Sequence, residues 1–499
     1  MPSGLPRLAV LVCLLAVCDA RADVYALRIP HVPRPIVADL EGKLEFLDVE
    51  RAQSSSPRQN PQAKLRLRLT ADFSRSLRFV SDLTGTAGGT PHDPGGPGVY
   101  DWSRIKQDIS PSLEFGEAYL DFRSSLVDLR AGVQKFSWGK LDAVQPNDLL
   151  NPQKYFDPIL EDESDGKIGV PAVAPTFYVP TRGVRGLPDD LRVTLVWAPL
   201  YVPYYFPDHD ERWYPPLARV PAESRTMGFT VTNQSRLRNA PLPSRTLDHS
   251  TFAACVSGLL GGADFALYYF DGFDPAPVLS AAAQGFVRPN PLSPQLVDIR
   301  SEVEIFPVFE RIRAAGGDVA YRAFDATFRV EAAYVFDRAY PRSIRDIVAG
   351  EQVGAIDPAT LVLGREQAVP VTLGSVNVPG DAVEWGAGAD TFVGDTFVLV
   401  QVNQTAILRS DVDLLISDYE TRFAMKVRRS FFDDRVRAEL IGLYGMQGVY
   451  GLANPHLTYV INDHLDVRVG YIAIEGDGDS ILGQYKRNDE GYVRARILF

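Results

Sequence analysis

The sequence predicts an all-β fold, a transmembrane antiparallel β-barrel of about 14–18 strands with long external loops and one inward-folded constriction segment. Three observations lead there. Strand-length segments alternate apolar and polar residues; the joints between them are either very short or very long; and the chain ends in an alternating strand closed by an aromatic, "GYVRARILF".

The alternation is clearest where Leu65, Leu67, Leu69, Ala71 and Phe73 oppose Arg66, Arg68, Thr70 and Asp72. It recurs with Val127, Leu129, Ala131 and Val133 against Asp128, Arg130 and Gln134, and with Phe328, Val330, Ala332 and Tyr334 against Arg329 and Glu331. Val436, Ala438, Leu440 and Gly442 oppose Arg435, Arg437 and Glu439, and Val493, Ala495, Ile497 and Phe499 oppose Tyr492, Arg494 and Arg496. Period-2 alternation says only that one face is apolar and the other wet. A soluble sandwich would bury the apolar faces against each other, whereas a membrane barrel turns them to lipid and lines a polar lumen with the rest.

Loop lengths arbitrate. Ser124-Ser125, Gly261-Gly262, Asp433-Asp434 and Asn462-Asp463 are tight-turn joints, while roughly 84–111, 139–190, 200–250, 273–300 and 338–382 are long and rich in Pro, Gly and acid. Such loops are hard to place inside a compact soluble domain, and short turns on one side with long loops on the other describe an outer-membrane barrel. Strands are expected near 40–50, 63–73, 75–83, 112–123, 126–137, 191–199, 250–259, 263–272, 302–310, 317–324, 326–337, 383–390, 395–403, 406–416, 419–432, 435–444, 456–461, 464–475 and 491–499.

Residues 1–22 carry a basic start, an apolar run from Leu8 to Val17 and the small-x-small site Ala20-Arg21-Ala22, the pattern of a secretory signal peptide. The remainder, 23–499, reads as a single barrel domain. Cys255 is the one cysteine beyond the signal, which excludes a disulfide framework. A net charge of −12 argues against a nucleic-acid partner.

The last third of the chain, with its Phe-x-Asp-Asp-Arg hairpin, Asn-Asp-His turn, "GDGDSILGQY" loop and aromatic-initiated final strand, resembles a family of large proteobacterial outer-membrane proteins sharing a domain of unknown function. An earlier Trp-Gly step and Asn-Pro element, "QKFSWGKLDAVQPNDLLNP", fit the same family. The resemblance implies a porin-like barrel in the bacterial outer membrane. It also makes the terminal Phe499 look like the C-terminal signal that the barrel-assembly machinery reads, so outer-membrane lipids and that machinery are the expected partners.

Candidate chemistry concentrates in 139–180. Trp138, counted with the candidate constriction residues, is expected to close its strand at the membrane interface, where an amphipathic ring belongs. The segment after it is too long for a turn and too apolar for a solvated loop, since Leu149, Leu150, Tyr155, Phe156, Ile159, Ile168, Val170 and Phe177 require burial. It is expected to fold into the lumen, with an external cap as the alternative. Folded inward, Lys140, Asp142, Asp148 and Lys154 would meet wall arginines, namely Arg66, Arg68, Arg123, Arg130, Arg329, Arg437, Arg468 and Arg494, and facing ladders of opposite charge orient polar solutes. The arginines favour anions slightly; the acidic loops oppose them.

No cofactor or metal site is expected. The acid-rich stretches Glu161–Asp165, Asp208–Glu211 and Glu475–Asp479 lack calcium-loop spacing. The six histidines are scattered without a zinc-protease or nucleophile-elbow pattern, so the chain does not read as an enzyme. Passive diffusion of small solutes is the leading function. The alternatives are a lipophilic-substrate channel, with Trp197, Tyr201, Tyr204, Tyr205 and Phe206 lining a slot, and a sleeve for a partner such as a periplasmic electron carrier.

Overall fold

The computed structural model describes residues 25–27, 36–51, 61–88, 112–153, 159–160, 166–181, 183–184, 186–202, 213, 223–226, 229–237, 243, 246–274, 278–289, 297–342, 352–353, 365–369, 371–372, 377–408, 414, 417–478 and 480–499. Among the described residues, eighteen strands build the barrel wall, in chain order β1 (Ile36–Arg51), β2 (Gln62–Asp72), β3 (Leu77–Gly88), β4 (Ser112–Arg123), β5 (Val127–Gln134), β6 (Val170–Tyr178), β7 (Asp189–Ala198), β8 (Thr251–Leu260), β9 (Ala263–Phe273), β10 (Arg311–Ala323), β11 (Ala326–Pro341), β12 (Asn377–Val393), β13 (Thr396–Ile407), β14 (Tyr419–Phe431), β15 (Val436–Gly445), β16 (Tyr450–Asn462), β17 (Leu465–Gly476) and β18 (Glu490–Leu498). Each pairs antiparallel with its sequence neighbour, and β18 returns to β1 in register from Lys43↔Leu498 to Arg51↔Glu490. The sheet is therefore closed and has no edge to leave unpaired in lipid.

β1 overhangs β18 at the end where the chain stops. Its first residues are paired instead by the short strand Tyr25–Leu27, antiparallel to Ile36–Ala38. Phe499 finishes the seam: its backbone exchanges hydrogen bonds of 2.6 and 2.9 Å with Gly42. Its ring lies over Gly42 so closely that a Cβ there would sit 2.2 Å from it. A terminal aromatic fits because a glycine faces it.

The alternation read from sequence sorts onto the two faces of this wall. Leu65, Leu120, Leu267, Val319, Val330, Val400, Leu457 and Val469 are exposed on the outside, while their chain neighbours Asp121, Asp318, Glu331, Gln401, His456 and Thr458 are buried within. Exposed aromatics form two rims. Trp197, Phe252, Tyr269, Tyr419, Tyr444 and Tyr471 lie toward the long-loop end, and Phe122, Phe177, Tyr321, Phe328, Phe431 and Tyr459 toward the short-turn end. An apolar band between two aromatic girdles is what a bilayer with polar interfaces selects.

Three expectations are corrected here. Residues 170–178 are barrel strand β6, inside what reads as constriction segment, so the loop it follows ends at residue 169. Pro171 and Pro175 hide it, because proline in a run argues against a ladder strand; both alternate with Ala172 and Ala174, which are buried inside, and Phe177 of the segment's apolar set faces lipid. The strand near 302–310 exists as Val297–Val308 but belongs to a second sheet outside the barrel. Its neighbours there are Val278–Pro289, antiparallel, and Phe229–Leu237, parallel. Val231, Val287, Ile299 and Val369 form its small core. On the exposed side, Arg300 is gripped by Glu302 and by Glu366 at 3.1 and 3.2 Å, and these carboxylates raise its pKa. Finally, the strand expected near 406–416 has only its first residues in a barrel strand: β13 runs to Ile407, β14 begins at Tyr419, and 409–413 with 415–416 lie outside the described residues.

Candidate functional site: the lumen and its inner loop

Strands β5 and β6 are joined by residues 135–169, and the described part of this loop lies inside the barrel. It makes two excursions. The first, Lys135 to Asn151, runs along the inner wall of β9 to β13 and comes back. The turn of this excursion is held by Gln401 and Asn403 of β13. Gln401 Oε1 accepts the backbone N–H groups of Asp142 and Ala143 at 3.0 and 3.2 Å, and Asn403 Nδ2 donates to the Val144 carbonyl at 3.1 Å.

Glu331 of β11 is the central anchor. It is fully buried, and its carboxylate accepts the backbone N–H groups of Lys140 (3.0 Å), Leu141 (3.3 Å) and Asn147 (2.8 Å) and the Asn147 side-chain amide (3.1 Å). A buried carboxylate is tolerable when donors surround it like this. Beside it, Asp318 of β10 receives Lys140 Nζ and the Tyr268 hydroxyl, and Tyr268 in turn accepts the Gly139 N–H at 3.2 Å.

Glycines admit the loop. A Cβ on Gly316 would lie 2.0 Å from Asn147 Oδ1, and one on Gly386 2.6 Å from Leu141. Gly139 itself takes φ +104° with the Glu331 carboxylate 2.6 Å from where a Cβ would be. The loop's apolar residues do the rest: Trp138, Leu150 and Ile168 join Val196, Phe270, Ile312, Ala314 and Val335 in one buried cluster on the inner wall. Trp138 is thus a correction. The strand ends at Gln134, and the indole turns into the lumen, stacked on Tyr268 at 5.3 Å and 29°, away from the membrane interface.

The loop's stem is tied by Asn151, which accepts the Phe136 N–H at 2.6 Å and donates to the carbonyls of Gln134 (3.2 Å) and Ile168 (2.7 Å). The second excursion reaches the other wall. Leu160 packs with Leu47, Val49, Ile472, Ile474 and Tyr492 of β1, β17 and β18, where Trp213 and Tyr485 join from other loops. Arg494 donates to the Leu160 carbonyl and pairs with Glu45 at 3.5 Å.

Of the loop charges expected to face arginines, Asp142 does so: it is half-exposed and lies 3.6 Å from Arg329, which also binds Asp390. Lys140 turns to Asp318 and to Asp264 at 3.4 Å. Asp148 is buried against Lys167 at 2.6 Å. Lys154, Tyr155, Phe156 and the acidic stretch 161–165 lie outside the described residues. So do Asp208–Glu211, Asp479, Tyr204, Tyr205 and Phe206. Among the described residues no group of acids, histidines and cysteines could hold a metal.

The wall arginines divide. Arg66 is paired with Asp82 at 2.8 and 2.9 Å, Arg123 with Asp121 at 2.6 Å near the short-turn end, and Arg494 is covered by the loop. Arg130, with a side chain 50% exposed, sits 3.9 Å from Asp121. Arg68 lies opposite Asp82 in the ladder, Arg437 opposite Thr458, and Arg468 donates to the Thr458 hydroxyl at 3.2 Å. Ion pairs and half-exposed guanidinium groups on the inner face show that water reaches part of this lumen. From the proposed aromatic slot, Trp197 faces lipid and Tyr201 is buried against Phe273 and Phe309.

Sequence reasoning missed Glu331 as an anchor, together with Asp318, Gln401, Asn403, Asn147 and Asn151. The signal for the wall residues was their place on wet faces beside Gly316, Gly386 and Gly388, where small neighbours leave room for a loop.

A closed barrel of eighteen antiparallel strands, with an apolar exterior, aromatic rims and a charged interior narrowed by a loop, is a bacterial outer-membrane β-barrel of the porin type. No protein-family model matches the chain, and no curated protein sequence does. Among solved structures it is similar to OccK8 (OprE) of Pseudomonas aeruginosa, at 10% identity and a TM-score of 0.47, covering 93% of this chain and 98% of that one. It is also similar to OccAB1 of Acinetobacter baumannii, at 9% and 0.45 over 93% and 96%, and to OmpF of Salmonella typhi in complex with daunomycin, at 11% and 0.39 over 93% and 98%.

Proposed function

We propose that this barrel is a diffusion channel for small polar solutes, with residues 135–169 as its constriction. The observation that carries the reading is the fixing of that loop to the inner wall by Glu331, Gln401 and Asn403 while Asp142 stays 51% exposed beside Arg329. A plug meant to seal would bury its charges; a constriction meant to select keeps one in water. Lys426, Arg437 and Arg468 on β14, β15 and β17 continue the basic lining round the inner wall from β13, with Lys426 3.8 Å from Glu439, so charge of both signs borders the opening. The buried state of Tyr201 and the outward turn of Trp197 favour polar over lipophilic solutes. Membership in the family with the shared domain of unknown function rests on the hairpin and turn motifs of the last third of the chain. The purified protein in a planar bilayer should give discrete steps of ohmic conductance. Insertion without steps would remove the polar-solute channel reading and leave the lipophilic-substrate channel and the sleeve for a periplasmic partner.

A further inference from the structure

We propose that Phe324 and Phe432, at the tips of two short-side turns, are anchors that enter the lipid interface of the inner leaflet. Short turns of such barrels face the periplasm, so this rim meets phospholipid headgroups. Phe324 and Asp325 link β10 to β11 with φ of 52° and 60°; Phe432, Asp433 and Asp434 link β14 to β15 with 56°, 54° and 64°. Left-handed backbone is unfavourable for a residue with a bulky side chain, and turn positions of this kind select Gly, Asn or Asp. The same rim shows the unstrained solution: Gly261 and Gly262 join β8 to β9 at φ 59° and 84°.

Turn geometry therefore does not ask for phenylalanine. Nor does packing, because Phe324 is 95% exposed and Phe432 77% exposed. A strained aromatic that touches almost nothing in its own chain gains its stabilisation from outside the chain. Continuity decides what that is. Each tip closes a hairpin that already carries exposed aromatics at the same end, Tyr321 and Phe328 for the first and Phe431 for the second. In each case the next residue is aspartate, which leaves an apolar ring and a charged tip adjacent, the combination that settles at a membrane interface.

The test places the photo-crosslinker p-benzoylphenylalanine at 324, at 432 and, as a control on the outer wall, at Leu267, in cells that carry the full-length protein in their outer membrane. Phospholipid adducts at 324 and 432 are expected. Lipid adducts at 267 with only protein adducts, or none, at the two tips would overturn this proposal and leave the channel reading intact. Failure at 267 would sink the membrane barrel along with it. A second measurement uses Phe324→Asn with Phe432→Asn, which suits the left-handed backbone. Strain relief is common to any medium, so the ratio of variant to native unfolding rates in urea should be several-fold higher in phospholipid vesicles than in detergent micelles; equal ratios would mean the rings anchor nothing in the bilayer.

Discussion

Glu331 shows what one side chain does to a porin lumen. A loop entering a barrel brings unpaired backbone N–H groups, and each left buried without a partner costs about 1–3 kcal/mol. Glu331 takes three of them and the Asn147 amide besides. Glu331→Ala should therefore leave the barrel closed but free the first excursion, at a local cost of about 3 kcal/mol. The check is twofold: protease cleavage appears within 139–151, and open-channel current noise rises, while the folded band on an unheated gel persists. Unchanged cleavage and noise would show that Gln401 and Asn403 suffice. Glu331 was legible as a wet-face residue of its strand. That it receives a loop was not, because its donors lie some 190 positions earlier in the chain.

At the scale of elements, the seam between β1 and β18 depends on a glycine and a ring. Gly42 gives Phe499 a flat surface, and the first and last strands can then pair along their whole overlap. Gly42→Val should push the ring off and cost about 2 kcal/mol, the usual size of overpacking. The folded, heat-modifiable fraction on gels should fall and assembly should slow; an unaffected fraction would remove Gly42 from the seam. The strands themselves were mostly legible, since lipid outside and water inside impose a period of two. β6 was lost because its prolines break the propensity pattern, and the strand Val297–Val308 was misplaced because alternation does not say which sheet a strand joins.

For the whole molecule, selectivity follows from where opposite charges end up across the lumen. Among the described loop residues Asp142 is a carboxylate that meets water, and its partner Arg329 keeps Asp390 if Asp142 is neutralised. Asp142→Asn removes a negative charge from the opening, so the anion-to-cation permeability ratio should rise, by about 1.5- to 2-fold. The reversal potential across a KCl gradient measures it. The shift should shrink toward 1 M salt, where the Debye length falls to about 3 Å; a shift that survives there, or none at low salt, would move the selecting charge elsewhere.

Fold class, the two faces of each strand and the sidedness of loops were decided by local sequence, because each needs only the alternation of neighbours and the length of joints. The site was decided by closure. Asn147 next to Glu331, Asp142 next to Arg329 and Leu160 beneath Arg494 are pairs separated by 184, by nearly two hundred and by 334 positions, and only a ring of paired strands brings them into polar contact. Which charges remain in water and which neutralise each other is a property of that ring, fixed by glycines that let the loop approach and by the walls it happens to touch.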